Sequence, residues 1–312
     1  MNKNISIVIP AFNEAKNLPV LIREIKEELG KLKIKNWEVL VVDDGSRDNT
    51  SEVINKIHQK EAKVKLISLR RNEGKALALQ AGFDQAVYDV VITVDGDGQD
   101  DPKEIGKFLK KLDEGYDLVS GWKKNRKDSV VKNNTSKIYN YFTNLLMKEK
   151  LNDANCGFKA YRQEVVKSLN LYGELHRYIP ALAEAGGYTI AEIEINHRKR
   201  RYGKSKYGLD RFIKGALDLI TVAFITRYKF RPLHMFGYLG LIFFTLGGVI
   251  GLYLSYLRLV LGEKIGDRPL LLFGALLIIV VVQITMTGLI GELITASLSK
   301  GSKRYQIKKK LL

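Results

Sequence analysis

The sequence predicts an α/β domain followed by a pair of long apolar helices. Over roughly the first 200 residues, short apolar runs alternate with helical patterns, and two long uncharged stretches lie near the C-terminus. The 312 residues are enough for one large domain or two ordinary ones, and 51 Lys and Arg against 34 Asp and Glu give a net charge of +17. A single cysteine, Cys156, excludes an internal disulfide and a cysteine-based zinc site.

Five short apolar runs are predicted as strands of a mixed, mostly parallel sheet. They cover residues 5–9, 37–42, 64–69, 90–94 and 117–120, with helical patterns between them at 18–29, 50–58, 75–86 and 102–112. This alternation is typical of βαβ units, whose sheet is covered by helices on both faces. Ligands of such sheets bind at the carboxyl ends of the strands, so the residues that follow each strand are the first candidates for a site.

Carboxylates follow three of the predicted strands. Pro10-Ala11-Phe12-Asn13-Glu14 follows the first, Asp43-Asp44-Gly45-Ser46 the second, and Asp95-Gly96-Asp97-Gly98-Gln99-Asp100 the fourth. Asp-Gly-Ser by itself is also a common turn or helix-capping sequence. Asp95 and Asp97, two residues apart after a buried strand, can share one hard divalent cation. Mg²⁺ and Mn²⁺ take one or two carboxylates plus substrate phosphates, so the pair points to a diphosphate ligand.

These segments resemble the nucleotide-sugar motifs of glycosyltransferase family 2, which has the GT-A (Rossmann-like) fold. The resemblance continues through residues 155–159, 176–180 and 200–206. With two C-terminal spans, the set is similar to polyprenyl-phosphate glycosyltransferases of the dolichyl-phosphate mannose synthase and bactoprenol glucosyltransferase type. The resemblance implies a metal-dependent, inverting transfer of a hexose from a nucleotide-diphosphate sugar to undecaprenyl or dolichyl phosphate, with Mg²⁺ or Mn²⁺ as cofactor.

The same resemblance assigns roles on the donor side. Five residues would hold the nucleoside: Pro10, Phe12, Glu14, Val42 and Asp44. Asp95, Gly96, Asp97 and Gln99 would surround the diphosphate and the metal, with Asp95 and Asp97 as metal ligands. Lys123 stands where mannose synthases have an Arg, and a lysine contacts phosphate as a point charge instead of a bidentate fork. This difference favours UDP-glucose over GDP-mannose as the donor.

The acceptor side is assigned to Arg200, Lys206, Asp153 and His176. Arg200 and Lys206 match the family's phosphate-gripping pair, within a run from 198 to 206 that has six cations in nine residues; a solvated membrane flank is the alternative. Asp153, ahead of another predicted strand, would orient the acceptor phosphate or accept its last proton, unless it is a turn residue. His176 would bind phosphate or be structural. Asp97, Asp153, Arg200 and Lys206 are the predicted catalytic residues.

Two C-terminal stretches are long enough to cross a bilayer. Residues 232–257 and 269–291 have no Asp, Glu, Lys or Arg, and about 20 apolar residues suffice for a span. The preceding flank, 198–231, carries a net charge of +9 and the tail after Ser299 carries +6. Basic flanks stay cytosolic, which places both termini and the catalytic domain there, at the cell membrane. Glu292 is predicted to snorkel or to pair across a subunit interface, and Gly247, Gly248 and Gly251 would permit homo-oligomers.

The predicted organisation has four parts: a cytosolic GT-A domain (1–205), a juxtamembrane amphipathic helix (206–231), two transmembrane helices (232–296; about 232–258 and 269–294) and a basic tail (297–312). The stretches around 138–146 and 211–225 have apolar faces that suit interfacial helices, or ordinary packing. The alternatives are a processive polysaccharide synthase, which would need a Gln-x-x-Arg-Trp segment, and a non-enzymatic nucleotide-sugar binder. Nucleic-acid binding is not expected, because the basic residues border the spans.

Overall fold

The computed structural model describes residues 3–124, 143–144, 147–198, 220–228 and 231–298, which form two compact units, Met1–Val222 and Ala223–Leu312. Several predictions fall outside the described residues. These are Arg200, Lys206, most of the two amphipathic stretches and the basic tail.

The first unit alternates strands and helices as predicted. Its elements are β1 (Ile5–Ala11), α1 (Leu18–Lys31), β2 (Trp37–Asp43), α2 (Thr50–Lys60), β3 (Val64–Ser68), α3 (Lys75–Gln85), β4 (Val90–Thr93), a 3₁₀ turn (Pro102–Glu104) leading into α4 (Ile105–Asp113), β5 (Leu118–Trp122), β6 (Lys159–Arg162), α5 (Gln163–Ser168), a 3₁₀ turn (Leu175–Tyr178), α6 (Ile179–Ala185) and β7 (Ile190–Glu194). The five strands and four helices predicted over residues 5–120 are confirmed to within two residues at most ends.

The described strands form one seven-stranded sheet in the order β3-β2-β1-β4-β6-β5-β7. The first four strands in this order are parallel to one another, whereas β6 runs antiparallel to both β4 and β5. The predicted mixed, mostly parallel sheet is therefore confirmed. Strand β7, which pairs in parallel with β5, was not predicted.

The two faces of β1 are covered by different helices. Ile5, Ile7 and Ile9 lie in one core cluster with the apolar face of α1, whose buried residues recur at three- and four-residue spacing. On the other face α3 lies so close that a Cβ on Gly82 would be 2.3 Å from Val8. Alternate residues of a strand point to opposite faces, so one short strand supports both layers and fixes where its carboxyl end emerges.

The second unit is a pair of apolar helices, α7 (Pro232–Leu259) and α8 (Pro269–Leu298), preceded by a π-helical turn (Phe224–Tyr228). Both helices are long and apolar enough to cross a membrane. They pack antiparallel: Gly291 lies against Pro232 at one end, and Gly274 lies against Ile250 towards the other. The predicted helix pair is confirmed.

The contacts within the hairpin bear on two predictions about this pair. Gly247 packs inside the hairpin, where a Cβ would be 3.2 Å from Ile278, while Gly248 and Gly251 have nothing within 4 Å of that position. Only the latter two remain open for association. Within the hairpin, the Glu292 carboxylate accepts from the Leu233 N–H at 3.4 Å. It thereby satisfies a first-turn N–H of α7 that has no intrahelical partner. The snorkelling of Glu292 or its pairing across a subunit interface stays a prediction.

Candidate functional site

The carboxyl ends of β1, β2 and β4 meet at one edge of the sheet. Strand β1 lies between the other two, with Ala11 opposite Asp43 and Val8 opposite Thr93. Beyond the strands, Asp44 N–H donates to Ala11 at 2.8 Å and Val94 N–H donates to Val8 at 3.1 Å. The topology therefore brings together the three acidic segments that follow these strands.

The loops after β1 and β2 are bonded to each other. Asn13 has a φ of 59°, a left-handed conformation that asparagine tolerates better than most residues. Its backbone N–H donates to Ser46 Oγ at 2.8 Å, and its side-chain oxygen accepts from Arg47 N–H at 2.7 Å. Glu14 N–H donates to Thr50 Oγ1 at 3.1 Å. These bonds fix the predicted nucleoside segment, with Phe12 and Glu14, on the loop that follows β2.

The Asp44 carboxylate organises a third loop, which leads into α3. Its two oxygens accept from the N–H groups of Glu73 and Gly74 at 2.7 and 3.0 Å. Asp44 is only 5% exposed, and burial raises the pKa of its carboxyl while the two N–H groups act in the opposite sense. Gly45 completes the junction: its φ is +66°, and a Cβ there would lie 2.4 Å from the Arg71 backbone. The structure thus gives Asp44 a loop-holding role that sequence reasoning did not foresee.

Val42 is placed differently from its neighbours. It is fully buried in β2, and its Cγ2 lies 3.3 Å from where a Cβ of Gly82 would stand in α3. Contact between this side chain and a nucleoside would require the sheet and α3 to separate. Pro10, by contrast, is partly exposed and lies beside the Asp95–Asp97 loop, since a Cβ on Gly96 would be 3.1 Å from the Pro10 oxygen.

Lys75 is the main site residue that sequence reasoning missed. It is the first residue of α3, and its ammonium lies 2.5 Å from Asp95 Oδ1. Burial acts to raise the pKa of Asp95, but the charges of Lys75 and Lys123 outweigh it and lower this pKa to about 2. Asp95 is therefore an anion across the physiological range. The residues between β3 and α3 follow a strand end, so the rule that pointed to Asp44 and Asp95 also applied to Gly74 and Lys75.

The Asp95–Asp100 loop turns back on itself through its own carboxylates. Asp97 Oδ1 accepts from Gln99 N–H at 3.1 Å, and Asp100 Oδ2 accepts from Asp95 N–H at 3.3 Å. Gly98 has a φ of +71°. The loop thus holds Asp95 and Asp97, which are two residues apart, in one compact turn.

The residues in this loop fit a divalent cation. A Cβ on Gly157 would lie 2.5 Å from Asp95 Oδ2, so a glycine is needed for the carboxylate to occupy its place. Asp95 and Asp97 offer hard, anionic oxygen donors of the kind that Mg²⁺ and Mn²⁺ prefer. Among the described residues no cluster of three or more His, Cys, Asp or Glu side chains could hold a metal. Water or a bound diphosphate would supply further oxygen ligands beside these two carboxylates.

Lys123 is ion-paired inside the protein. Its ammonium lies 2.7 Å from Asp100, which is fully buried, and its own side chain is 12% exposed. Burial disfavours the ammonium, yet the neighbouring Asp100 and Asp95 raise the pKa of Lys123 above its usual value. The structure therefore places this predicted phosphate contact behind the Asp95–Asp97 turn, with its charge already compensated.

Arg198 joins the basic run to the acidic loop. Its backbone N–H donates to Gln99 O at 2.8 Å, next to an antiparallel bridge between Asp100 and His197. Its guanidinium contacts Glu24 of α1 at 2.6 Å and Asp101 at 2.5 Å. The charge of Arg198, the first residue of the 198–206 run, is thus neutralised within the fold. The basic run begins beside the loop that carries Asp95 and Asp97.

Replacing Arg198 by Met is expected to destabilise the first unit by about 2 kcal/mol, because Asp101 is buried and would lose its cation. For a domain of this size the midpoint of thermal unfolding should fall by roughly 4–8 °C. The measurement is thermal unfolding of the detergent-solubilised protein. Arg23→Met is the matched control on α1, because the Arg23–Glu27 pair is long (3.9 Å) and exposed. An equal midpoint in the two variants would contradict the anchoring role.

His176 lies close enough to Lys75 and Asp95 to interact electrostatically with both. Burial, Lys75 and Arg177 together hold the pKa of His176 well below its usual range. Its Nδ1 has no hydrogen-bond partner among the described residues. A neutral imidazole contacts phosphate through a single N–H, without a charge.

Asp153 and Lys159 are both buried inside the first unit. Asp153 is 1% exposed, and its N–H donates to Glu192 at 2.8 Å. Lys159, a buried residue of β6, donates to the Cys156 carbonyl, and burial lowers its pKa while Asp153 acts to raise it. The predicted acceptor-side carboxylate therefore lies inside the fold, near a lysine that the sequence did not suggest.

Comparison with known proteins places this chain in a family. Residues 6–169 match glycosyl transferase family 2. The chain is 38% identical over 296 residues to the dodecaprenyl-phosphate galacturonate synthase of Rhizobium johnstonii, covering 93% of this chain and 87% of that protein. It is 36% identical over 298 residues to the undecaprenyl-phosphate 4-deoxy-4-formamido-L-arabinose transferase of Salmonella paratyphi B, covering 94% and 88%.

Solved structures agree on the fold. Glucosyl-3-phosphoglycerate synthase from Mycobacterium tuberculosis, crystallised with Mn²⁺, UDP and phosphoglyceric acid, has a TM-score of 0.53 at 20% identity, over 72% of this chain and 78% of that one. Mannosyl-3-phosphoglycerate synthase from Rubrobacter xylanophilus has a TM-score of 0.56 at 19% identity, over 71% and 73%. The sheet order, the acidic strand ends and the match over residues 6–169 agree, and the chain belongs to glycosyl transferase family 2.

Proposed function

We propose that this enzyme transfers a sugar from a nucleotide-diphosphate sugar to a membrane polyprenyl phosphate. One observation carries the proposal: relatives at 38% and 36% identity, aligned over more than nine-tenths of this chain, are both named for sugar transfer to a polyprenyl phosphate. The alignment length takes in the apolar helix pair as well as the catalytic unit. The acidic edge of the sheet supplies the groups that such a reaction needs.

The donor would lie across the ends of β1, β2 and β4. Pro10, Phe12 and Glu14 would contact the nucleoside, while Asp44 would support it through the loop that it holds. The diphosphate would lie at the turn formed by Asp95, Gly96, Asp97 and Gln99, with the Lys123–Asp100 ion pair supporting this turn. Asp95 and Asp97 would hold Mg²⁺ or Mn²⁺. When bound, such an ion stabilises the negative charge that develops on the departing diphosphate.

The acceptor needs little activation by the protein. A phosphate monoester has its second pKa at about 6, so at neutral pH it is already a dianionic nucleophile. Its oxygen would attack the anomeric carbon opposite the diphosphate, forming one C–O bond as the other breaks and inverting that carbon. The protein's task is to offset repulsion between two anions. We assign it to Arg200 and Lys206, with the N–H of neutral His176 as a further contact.

The burial of Asp153 limits the roles that this carboxylate can have towards the acceptor. Because it is buried beside Lys159, it would orient the acceptor side through that lysine, or accept a proton only after the acceptor has opened the site. Asp153→Asn with a measurement of acceptor KM against kcat separates these two roles.

The helix pair would place this chemistry at the membrane. We propose that α7 and α8 span the cell membrane, with the catalytic unit and both termini in the cytosol, as the basic flanks predict. Their large side chains support this assignment, because Leu252, Leu272 and Leu293 are more than 60% exposed in the chain by itself. Gly248 and Gly251 leave an open small-residue face on α7 for a second copy.

The decisive experiment uses purified enzyme, undecaprenyl phosphate in detergent or vesicles, and a panel of radiolabelled donors. UDP-glucose is the first donor to test, followed by GDP-mannose, UDP-N-acetylglucosamine, and the galacturonate and formamido-arabinose donors that the relatives' names suggest. Label in the extracted lipid, released by mild acid as the sugar, supports the proposal. Donor binding without lipid product from any donor would favour a non-enzymatic binder.

Truncation after Arg231 is expected to lower the rate on vesicle-embedded undecaprenyl phosphate about tenfold more than the rate on a short soluble prenyl phosphate. The reason is that the helix pair would raise the local concentration of enzyme at the acceptor's surface. Initial rates on the two acceptors measure the effect. Equal losses on both, or a lowered thermal midpoint, would indicate misfolding instead.

A further inference from the structure

A lysine already occupies the carboxylate proposed as a metal ligand. Lys75 Nζ lies 2.5 Å from Asp95 Oδ1, and the two side chains are 33% and 28% exposed. The backbone just before this lysine is fixed, because the Asp44 carboxylate accepts hydrogen bonds from the N–H groups of Glu73 and Gly74. Gly74 has a φ of +92°, which a residue with a Cβ rarely adopts. The ion pair is thus built into the loop between β3 and α3.

An ammonium and a divalent cation compete for the same carboxylate. Both are attracted to Asp95, and each repels the other strongly at the separation that sharing one carboxylate imposes. Lys123 is also close enough to lower the pKa of Asp95. Because Lys123 is itself paired with Asp100, the charge that a divalent ion entering this turn must displace from Asp95 is that of Lys75.

The donor removes this obstacle. A nucleotide diphosphate brings negative charges to the turn, and it offers the displaced ammonium new oxygen acceptors. Lysine suits such an exchange because its charge is compact and its four-carbon stem is flexible. The loop can stay bonded to Asp44 while only the side chain of Lys75 moves.

We propose that Lys75 is an exchangeable counter-ion of Asp95, which disfavours metal binding in the absence of donor and couples it to arrival of the diphosphate. This inference rests on the proposed function, since it takes Asp95 and Asp97 as the metal site. It makes Lys75 a positioning residue. Its removal should raise the affinity for metal alone and should reduce the gain in metal affinity that the nucleotide brings.

The test measures Mn²⁺ binding by electron paramagnetic resonance on the full-length protein in detergent, with MnCl₂ alone and with UDP or GDP. Lys75→Met should bind Mn²⁺ alone roughly three- to tenfold more tightly than the unaltered protein, the range expected for loss of a half-exposed ion pair. The gain in Mn²⁺ affinity on adding nucleotide should shrink by a similar factor. Lys26→Met is the matched control, because Lys26 and Glu61 form a pair of like length, 2.7 Å, and similar exposure away from the site.

Two further variants keep the result decisive. Lys75→Arg retains the charge and should behave like the unaltered protein towards Mn²⁺, which separates loss of charge from a disturbed loop. Asp97→Asn should weaken Mn²⁺ binding with or without nucleotide. If it does so while Lys75→Met binds Mn²⁺ no more tightly than before, the counter-ion role is overturned and the metal site stands. If Asp97→Asn leaves Mn²⁺ affinity unchanged, the metal lies elsewhere, and both the site and this inference fail.

Discussion

Asp97→Asn is expected to lower the rate of sugar transfer by about a hundred- to a thousandfold, the loss typical of removing one electrostatic contact to a transition state. Asparagine keeps the side-chain oxygen that accepts from Gln99 N–H, so the turn should survive. What is lost is the negative charge that would help to hold the cation beside the leaving diphosphate. The measurement is the initial rate of lipid-linked sugar formation at saturating donor.

The control for this variant is Asp84→Asn on α3. Asp84 is exposed and bonds to Gln80 of its own helix, so the same chemical change there should leave the rate unchanged. EDTA should abolish transfer by the unaltered enzyme, and excess MnCl₂ should restore it there but not in Asp97→Asn. Full activity of Asp97→Asn, or full activity in EDTA, would remove the metal from the mechanism.

The sequence predicts the first half of the fold well because that half is locally encoded. Parallel strands buried on both faces are continuous apolar runs, and β1 and β2 are buried along almost their whole length. The amphipathic spacing of α1 is equally local. Strand β7 escapes prediction because Ile190–Glu194 is only five residues long, carries two glutamates and owes its place to pairing with β5. That pairing is a property of the tertiary structure.

The same distinction explains the site. Asp44, Asp95 and Asp97 could be found because the carboxyl ends of parallel strands converge on one edge. The sequence does not predict which lysine or arginine forms an ion pair with which carboxylate. The helical pattern at 75–86 gives Lys75 no role beyond starting a helix, and the sequence does not indicate that Lys123 contacts Asp100. Arg198 is one of six cations in nine residues, and the sequence does not indicate that it contacts Glu24 and Asp101.

Gly157→Ala is expected to reduce sugar transfer about a hundredfold although it adds a single methyl group outside the acidic loop. The backbone of Gly157 does not have a positive φ, so alanine can adopt its conformation. The methyl carbon, however, would lie 2.5 Å from Asp95 Oδ2 and 2.6 Å from Oδ1. The carboxylate must move, and a displacement of about 1 Å in a reacting site commonly costs a factor of 100. Lipid-product rates and Mn²⁺ affinity measure the two consequences.

Gly30→Ala is the matched control for this change, because a Cβ on Gly30 has nothing within 4 Å. Placed inside α1, that alanine should leave transfer unchanged and raise stability by about 0.5–1 kcal/mol through helix propensity. If Gly157→Ala keeps its thermal midpoint but loses both activity and Mn²⁺ affinity, the position of the Asp95 carboxylate sets both properties. If Gly157→Ala stays fully active, the reaction does not depend on where Asp95 lies, and its assignment to the metal and diphosphate would have to be abandoned.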